Sequence, residues 1–236
     1  HLWQEWLPER FEAAGPRVER RGVGHMQHIG GGTYEQEFTD DGRPADCWVF
    51  EDLVYIHKRH VAAAGYPRDE MTMTPMTYDE MRPGCYDPKA RVEDMLMNHV
   101  DVSLCFPTFP RFCGHTFTEA KDRELGEACV YAYNDWMVDE WCGDSDGHLV
   151  PLCIIPLWDA ELAAAEVRRN AARGVRAVCF SEIPPHLGLP SIHSGFWDPL
   201  FAACEETDTV VCMHIGSSSR MPATSPDAPV AVAASL

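Results

Sequence analysis

From residue 88 onward, two rhythms of apolar and polar positions take turns along the chain. Short, nearly uninterrupted apolar runs at 102–106, 149–155, 175–180 and 209–214 read as buried strands. Between them, apolar residues recur three and four positions apart, the spacing of one helix face. Residues 88–98 place Val92, Met95 and Leu96 together, with Asp87 as N-cap and Pro88 in the first turn. Residues 118–142 repeat Leu125, Cys129, Ala132 and Trp136 behind an acidic start at Glu119 and Asp122. Residues 160–173 begin after the cap Asp159 and stop at Gly174, a position suited to a left-handed C-cap, and 197–206 form the last helix. The order β, α, β, α, β, α, β is that of parallel strands joined by helical crossovers.

Such a series suits either a doubly wound sheet or a (β/α)₈ barrel. No strand end carries G-x-G-x-x-G, and G-x-x-x-x-G-K-[ST] is absent. Without those phosphate-cradling loops the barrel is the favoured α/β architecture.

Residues 22–85 follow neither rhythm. Gly30 to Gly32, scattered Pro and aromatics, and the methionines Met71, Met73, Met76 and Met81 give no sustained period. The segment reads as a long insertion or lid over the barrel mouth, in a single domain spanning 1–236. Its methionines are expected to fill gaps in packing. The chain's last eleven residues look like the start of an apolar helix.

Composition narrows the function. Nineteen Lys and Arg against 37 Asp and Glu give a net charge of -18, which repels phosphates and anionic lipid headgroups, so neither nucleic acid nor membrane is an expected partner. No run of apolar residues is long enough to span a bilayer, and the first residues lack a secretory signal; a cytoplasmic protein is expected. The ten cysteines include no C-x-x-C pair, and several sit inside apolar runs. They are expected to be reduced and buried rather than ligands of a zinc ribbon.

Candidate chemistry gathers where strands end. His214 closes the run VVCMH and is followed by small residues, at the edge where barrels place catalysis. A neutral imidazole there either ligates a divalent metal or simply caps the strand by a hydrogen bond to a carbonyl. Glu182 and His186 follow the strand at 175–180 and are second-tier candidates for orienting substrate or a water, the alternative being a solvated loop. His25 and His28 have the spacing of a metal pair, but no carboxylate follows before Glu35, and they are read as part of a loop. Ser217 to Ser219 lack the strand-to-helix elbow of a nucleophilic serine, so a serine hydrolase is not expected.

Four stretches carry a resemblance: LWQEWLPERF at 2–11, YDPKARVEDMLMNHVDVSLCFPT at 86–108, GVRAVCF at 174–180 and FWDPLFAACEETDTVVCMHIGSSS at 196–219. Together they resemble the amidohydrolase-related family that contains aminocarboxymuconate-semialdehyde decarboxylase, γ-resorcylate decarboxylase and metal-dependent hydrolases of the TIM-barrel fold. The resemblance implies a metal held by an Asp/Glu-x-His pair on the first strand, a His ending the fifth and an Asp after the eighth. Only the middle ligand maps here, onto His214, so the resemblance further implies an incomplete barrel lacking its first strand and its last three βα units. It implies a divalent ion, most naturally Zn²⁺, acting as a Lewis acid. Hydrolysis and non-oxidative decarboxylation of a small carboxylated, aromatic or unsaturated substrate are both compatible with that site, and homodimers are common among relatives. The competing expectation is a non-catalytic or truncated barrel relative that serves as a binding or assembly partner, with exposed sheet edges that favour association.

Overall fold

A computed structural model describes residues 1–30 and 33–218. The described residues divide into two compact units, one built from 1–15 and 92–218 and the other from 16–91. The apolar run expected as a terminal helix lies outside the described residues.

The first unit opens with two short helices, α1 (Leu2–Trp6) and α2 (Glu9–Glu12). Trp3 is 1% exposed, and its indole meets Phe109 and Phe117 edge-on, with ring centroids 5.4 and 5.9 Å away. An aromatic of this size, fully buried, ties the entry of the chain to the body of the unit.

The second unit corrects the reading of 22–85 as aperiodic. Its described part is an antiparallel sheet of β1 (Arg17–Gly30), β2 (Thr33–Phe38), β3 (Arg43–Phe50) and β4 (Leu53–Ile56), in the order β2-β1-β3-β4. Val23, Ala45, Cys47, Val49 and Ile56 form the core on one face. His25 and His28 accordingly lie in strand β1, paired with Glu37 and Tyr34 of β2, and not in a loop. The strand escapes a period-2 reading because Glu19 and Arg21, which stand opposite the buried Cys47 and Ala45, are charged. They satisfy each other through an Arg21–Glu19 ion pair of 2.6 Å. Their aliphatic stems cover the sheet where an apolar side chain is usual. Met76 and Met81 pack with Ala62 in a second small core, as expected of gap-filling methionines, whereas Met71 is exposed.

On the opposite face Asp46, 4% exposed, accepts two hydrogen bonds from Arg20 (2.8 and 2.9 Å) and one from the backbone N–H of Tyr78 (2.7 Å). The Arg20 guanidinium holds the Asp46 carboxyl below its ordinary value, with burial opposing. His57 is also buried, its ring edge-on to Tyr78 at 4.8 Å and to Tyr55 at 6.0 Å. Desolvation pulls its pKa down to about 4 against the opposing pull of Asp46.

The boundary between the units falls inside α3 (Pro88–Met97), begun as expected by Asp87, whose carboxylate accepts from Ala90 N–H at 2.8 Å. The first unit then runs through β5 (Ser103–Cys105), α4 (His115–Thr118), α5 (Arg123–Trp136), a π-helical turn at Met137–Trp141, β6 (Leu149–Pro151), α6 (Ala160–Ala171), β7 (Ala177–Ser181), α7 (Asp198–Glu206) and β8 (Val210–His214). β5 pairs in parallel with β6, and β7 in parallel with β8. A parallel bridge between Cys153 and Val178 joins the two pairs, so four successive strands stand side by side in chain order. This is the succession of parallel strands joined by helical crossovers that the alternating pattern predicts.

The helix expected at 118–142 begins later than expected: Thr118 closes the short α4, and Asp122 starts α5 by accepting from Glu124 and Leu125 N–H at 2.9 and 3.3 Å. Asp159 caps α6 in the same way, and Gly174 takes the left-handed φ of 92° that closes it.

Candidate functional site

Because the strands are parallel, the ends of β5, β7 and β8 deliver their following residues to one edge of the sheet. His214 is the last residue of β8 and is half-buried. Its Nδ1 lies 2.6 Å from the carbonyl oxygen of Ile215. A carbonyl can only accept, so Nδ1 carries the proton and Nε2 of the neutral ring keeps the free lone pair. The ring stacks on Phe112 at 3.9 Å and 22°, and meets Phe106 edge-on at 5.1 Å, both contributed by the loop after β5. The imidazole is therefore held in one tautomer and covered on one face. The bond to a neighbouring carbonyl that the capping alternative expects is present, made to Ile215 O.

Glu182 follows β7, but its carboxylate is turned toward the segment after His214. It accepts from Gly216 N–H (2.9 Å), Ser218 Oγ (2.8 Å) and Ser217 Oγ, while Glu182 N–H donates to Ser217 Oγ at 3.1 Å. Burial alone would raise the carboxyl pKa, yet the hydrogen bonds from Ser217, Ser218 and Gly216 prevail and lower it. Ser217 and Ser218 are each 1% exposed, and the thiol of Cys113 donates to Ser217 O at 3.3 Å. Burial pushes that thiol up to about 12, so it stays protonated. His186 lies in the short 3₁₀ turn Pro184–Leu187, exposed, and is not drawn into this network.

The sequence reading passed over a second group on the β5 loop. Arg111 donates to His115 Nδ1 at 2.9 Å, and its guanidinium reaches Glu119 at 3.2 Å. Since arginine only donates, the His115 proton sits on Nε2, the opposite tautomer to His214. Burial lowers the pKa of His115, with Glu119 opposing. The four-residue spacing of Arg111, His115 and Glu119 is the only trace of this group in the sequence.

Gly143–Gly147 also has the spacing of a nucleophile elbow, which the sequence reading missed. Ser145 stands before β6, at the opposite end of the strand from His214, and its buried hydroxyl donates to Cys142 O at 2.7 Å. The strand-to-helix context of a nucleophilic serine is missing there.

Among the described residues, the three ligand-type side chains that come within metal-binding distance of one another are His1, Glu5 and Glu140, of which His1 and Glu5 are exposed. His214 is not in that group. It fits a metal as one nitrogen donor, and the described residues around it do not complete a ligand shell. All ten cysteines are free, and seven are buried, as expected of reduced core residues. No helix among the described residues is long and apolar enough to cross a membrane.

A run of parallel βα units with polar residues gathered at the carboxyl ends of its strands defines an α/β protein of barrel type. The chain belongs to the amidohydrolase family, whose model matches residues 6–236. Among solved structures it is similar to an amidohydrolase from Mycobacterium avium subsp. paratuberculosis K-10, at 23% identity over 92% of this chain and 56% of that one, with a TM-score of 0.56. It is also similar, over 58% of its length and 35% of the other chain, to 5-carboxyvanillate decarboxylase from Novosphingobium aromaticivorans, at 23% identity and a TM-score of 0.45. That decarboxylase was crystallised with manganese and 4-hydroxy-3-methoxy-5-nitrobenzoic acid. The chain thus spans about half the length, or less, of the structures it matches. No curated protein matches it.

Proposed function

We propose that this chain carries part of the active site of a metal-dependent hydrolase or non-oxidative decarboxylase acting on a small carboxylated substrate, with His214 as one metal ligand. The observation that carries this reading is the His214 tautomer: Nδ1–H is committed to Ile215 O, and Nε2 is left with its lone pair at the carboxyl edge of a parallel sheet. Membership of the amidohydrolase family supports the metal, and Zn²⁺ suits an imidazole donor. When bound, such an ion supplies Lewis-acid chemistry. The chain's own residues orient the ligand: Phe112 and Phe106 wall the imidazole with apolar surface that suits an aromatic or unsaturated acid. Glu182 and His186 follow β7 at the same edge, Glu182 in a supporting role and His186 free to meet substrate. Among the described residues β5 and β8 each pair on one side, and their other edges are read as places where further barrel strands pair. The ten free cysteines fit a reducing, cytoplasmic setting.

The test is metal retention and turnover in the full-length natural chain. His214→Ala is expected to lower Zn²⁺ or Mn²⁺ content and affinity at least tenfold and to abolish turnover of carboxylated aromatic substrates, while His25→Ala does neither. Carbon dioxide release separates decarboxylation from hydrolysis. Equal metal retention in the two variants sinks the assignment and leaves a non-catalytic binding role in its place.

A further inference from the structure

The Glu182 carboxylate is spent on one short stretch of backbone. It takes up Gly216 N–H and the hydroxyls of Ser217 and Ser218, three consecutive residues beginning two positions after His214. The Glu182 N–H returns a bond to the Ser217 hydroxyl, which closes a ring between the end of β7 and the turn after β8. Cys113, from the loop after β5, ties down the Ser217 carbonyl from another side. Ile215, whose carbonyl fixes the His214 tautomer, lies between His214 and this clamped stretch. If the turn were released, Ile215 O would be free to rotate away from Nδ1, and both tautomers of the ring would become accessible.

From this geometry we infer that Glu182 is a positioning residue: it acts through the Gly216–Ser218 turn to hold Ile215 O against His214 Nδ1 and so presents Nε2 as the ligating atom. The role differs from contact with substrate, because the carboxylate is already engaged by three donors. It also gives a reason for two buried serines beside a candidate ligand in a site with no serine chemistry. The inference rests on the reading of His214 as a metal ligand, but its central claim concerns the metal-free ring and is tested there.

The experiment compares wild type, Glu182→Ala, Glu182→Gln and His214→Ala in the full chain by ¹⁵N NMR of the metal-free imidazoles and by calorimetric titration with Zn²⁺. Gln keeps an oxygen for Gly216 N–H and Ser218, and its amide can donate to Ser217 Oγ, so it preserves the clamp with one bond reversed. Glu182→Ala is expected to turn the single Nδ1–H pattern of His214 into a tautomer mixture and to weaken Zn²⁺ binding about 10- to 100-fold, the usual cost of losing an outer partner of a ligating histidine. Glu182→Gln is expected to stay within about threefold of wild type in affinity and to keep the wild-type ¹⁵N pattern. A folded Glu182→Ala protein with unchanged His214 signals overturns the inference, even if its thermal stability falls. Should that variant fail to fold, Ser217→Ala, which removes the bridging hydroxyl and leaves the backbone, is read by the same two criteria. If His214→Ala binds Zn²⁺ like wild type, the metal-ligand reading fails by itself, and the tautomer measurement still decides the part played by Glu182.

Discussion

Phe112 lies flat against His214, ring centroids 3.9 Å apart and planes 22° from parallel, although 102 positions of chain separate them. Stacking of this kind stabilises by about 0.5–1.5 kcal/mol beyond the area it buries. Phe112→Leu removes the stack and keeps apolar bulk. It is expected to weaken Zn²⁺ binding by about two- to tenfold, the same energy expressed as a ratio, whereas Phe112→Trp preserves it. Unchanged affinity in a calorimetric titration of Phe112→Leu would mean that the ring only covers the strand end.

Asn134 stands in for a neighbouring strand. Its side-chain amide donates to Ile154 O at 2.8 Å and accepts from Ile154 N–H at 2.9 Å, and it also donates to the buried Glu166 at 2.6 Å. Asn134→Leu leaves the N–H and C=O of the buried Ile154 without their partner, while Glu166 Oε1 keeps its bonds from Arg169 and Asn170. Each orphaned buried group costs about 1–3 kcal/mol, so a loss of about 2 kcal/mol or more in denaturant unfolding is expected. A loss below about 1 kcal/mol would show that the interior admits water or rearranges.

Acid is expected to loosen the second unit in a defined window. In the unfolded chain His57 titrates near the ordinary histidine value of 6.5, and in the folded unit near 4. Between those values the unfolded state takes up a proton that the folded state refuses. Stability is therefore full above pH 6.5, declines as pH falls toward 4, and levels off for this group below that. The total is roughly 3 kcal/mol at about 1.4 kcal/mol per pH unit. Urea midpoints at pH 7 and pH 5 measure it, and His57→Phe, which keeps an aromatic ring beside Tyr78, should flatten the difference. An equal pH dependence in the variant assigns the effect to other groups, such as Asp46.

Strand β8 carries exposed apolar side chains: Val210 is 62% exposed, Met213 48%, and Ile215 just beyond it 51%. At the other end of the sheet row Val102 and Leu104 are also exposed. Apolar strand edges of this kind recruit further strands or other molecules. The 236-residue chain alone is expected to self-associate in sedimentation experiments, and the double change Val210→Lys, Met213→Lys to reduce that association. A monodisperse wild-type monomer at tens of micromolar overturns the expectation.

What could be read from the sequence was whatever depends on neighbours in the chain. The apolar runs around Leu104, Val150, Val178 and Val211 declare strands through their own composition, although only the one at Val178 is buried throughout. Asp87 and Asp159 announce helix starts because a cap bonds to N–H groups two or three residues away, whereas Asp122, which caps α5 in the same way, reads from sequence as part of a first turn. The sheet of the second unit was hidden for the complementary reason. Glu19 and Arg21 occupy positions over Cys47 and Ala45 where a strand usually shows apolar residues, and their mutual ion pair becomes visible only once the register is known.

The candidate site divides along the same line. The sequence alone placed His214 at a strand end, because the run VVCMH marks both the strand and its last residue. Tertiary structure alone decided that Glu182 faces the turn after His214 instead of solvent, that His186 stays outside the network, and that Phe112 and Phe106 wall the ring. These partners come from loops after three different strands, and the parallel sheet brings those loops to one edge whatever their distance along the chain. Hydrogen bonds and ring contacts act over a few ångströms of space, so the chemistry of such an edge is set by which strand ends are adjacent, and that adjacency is a property of the fold.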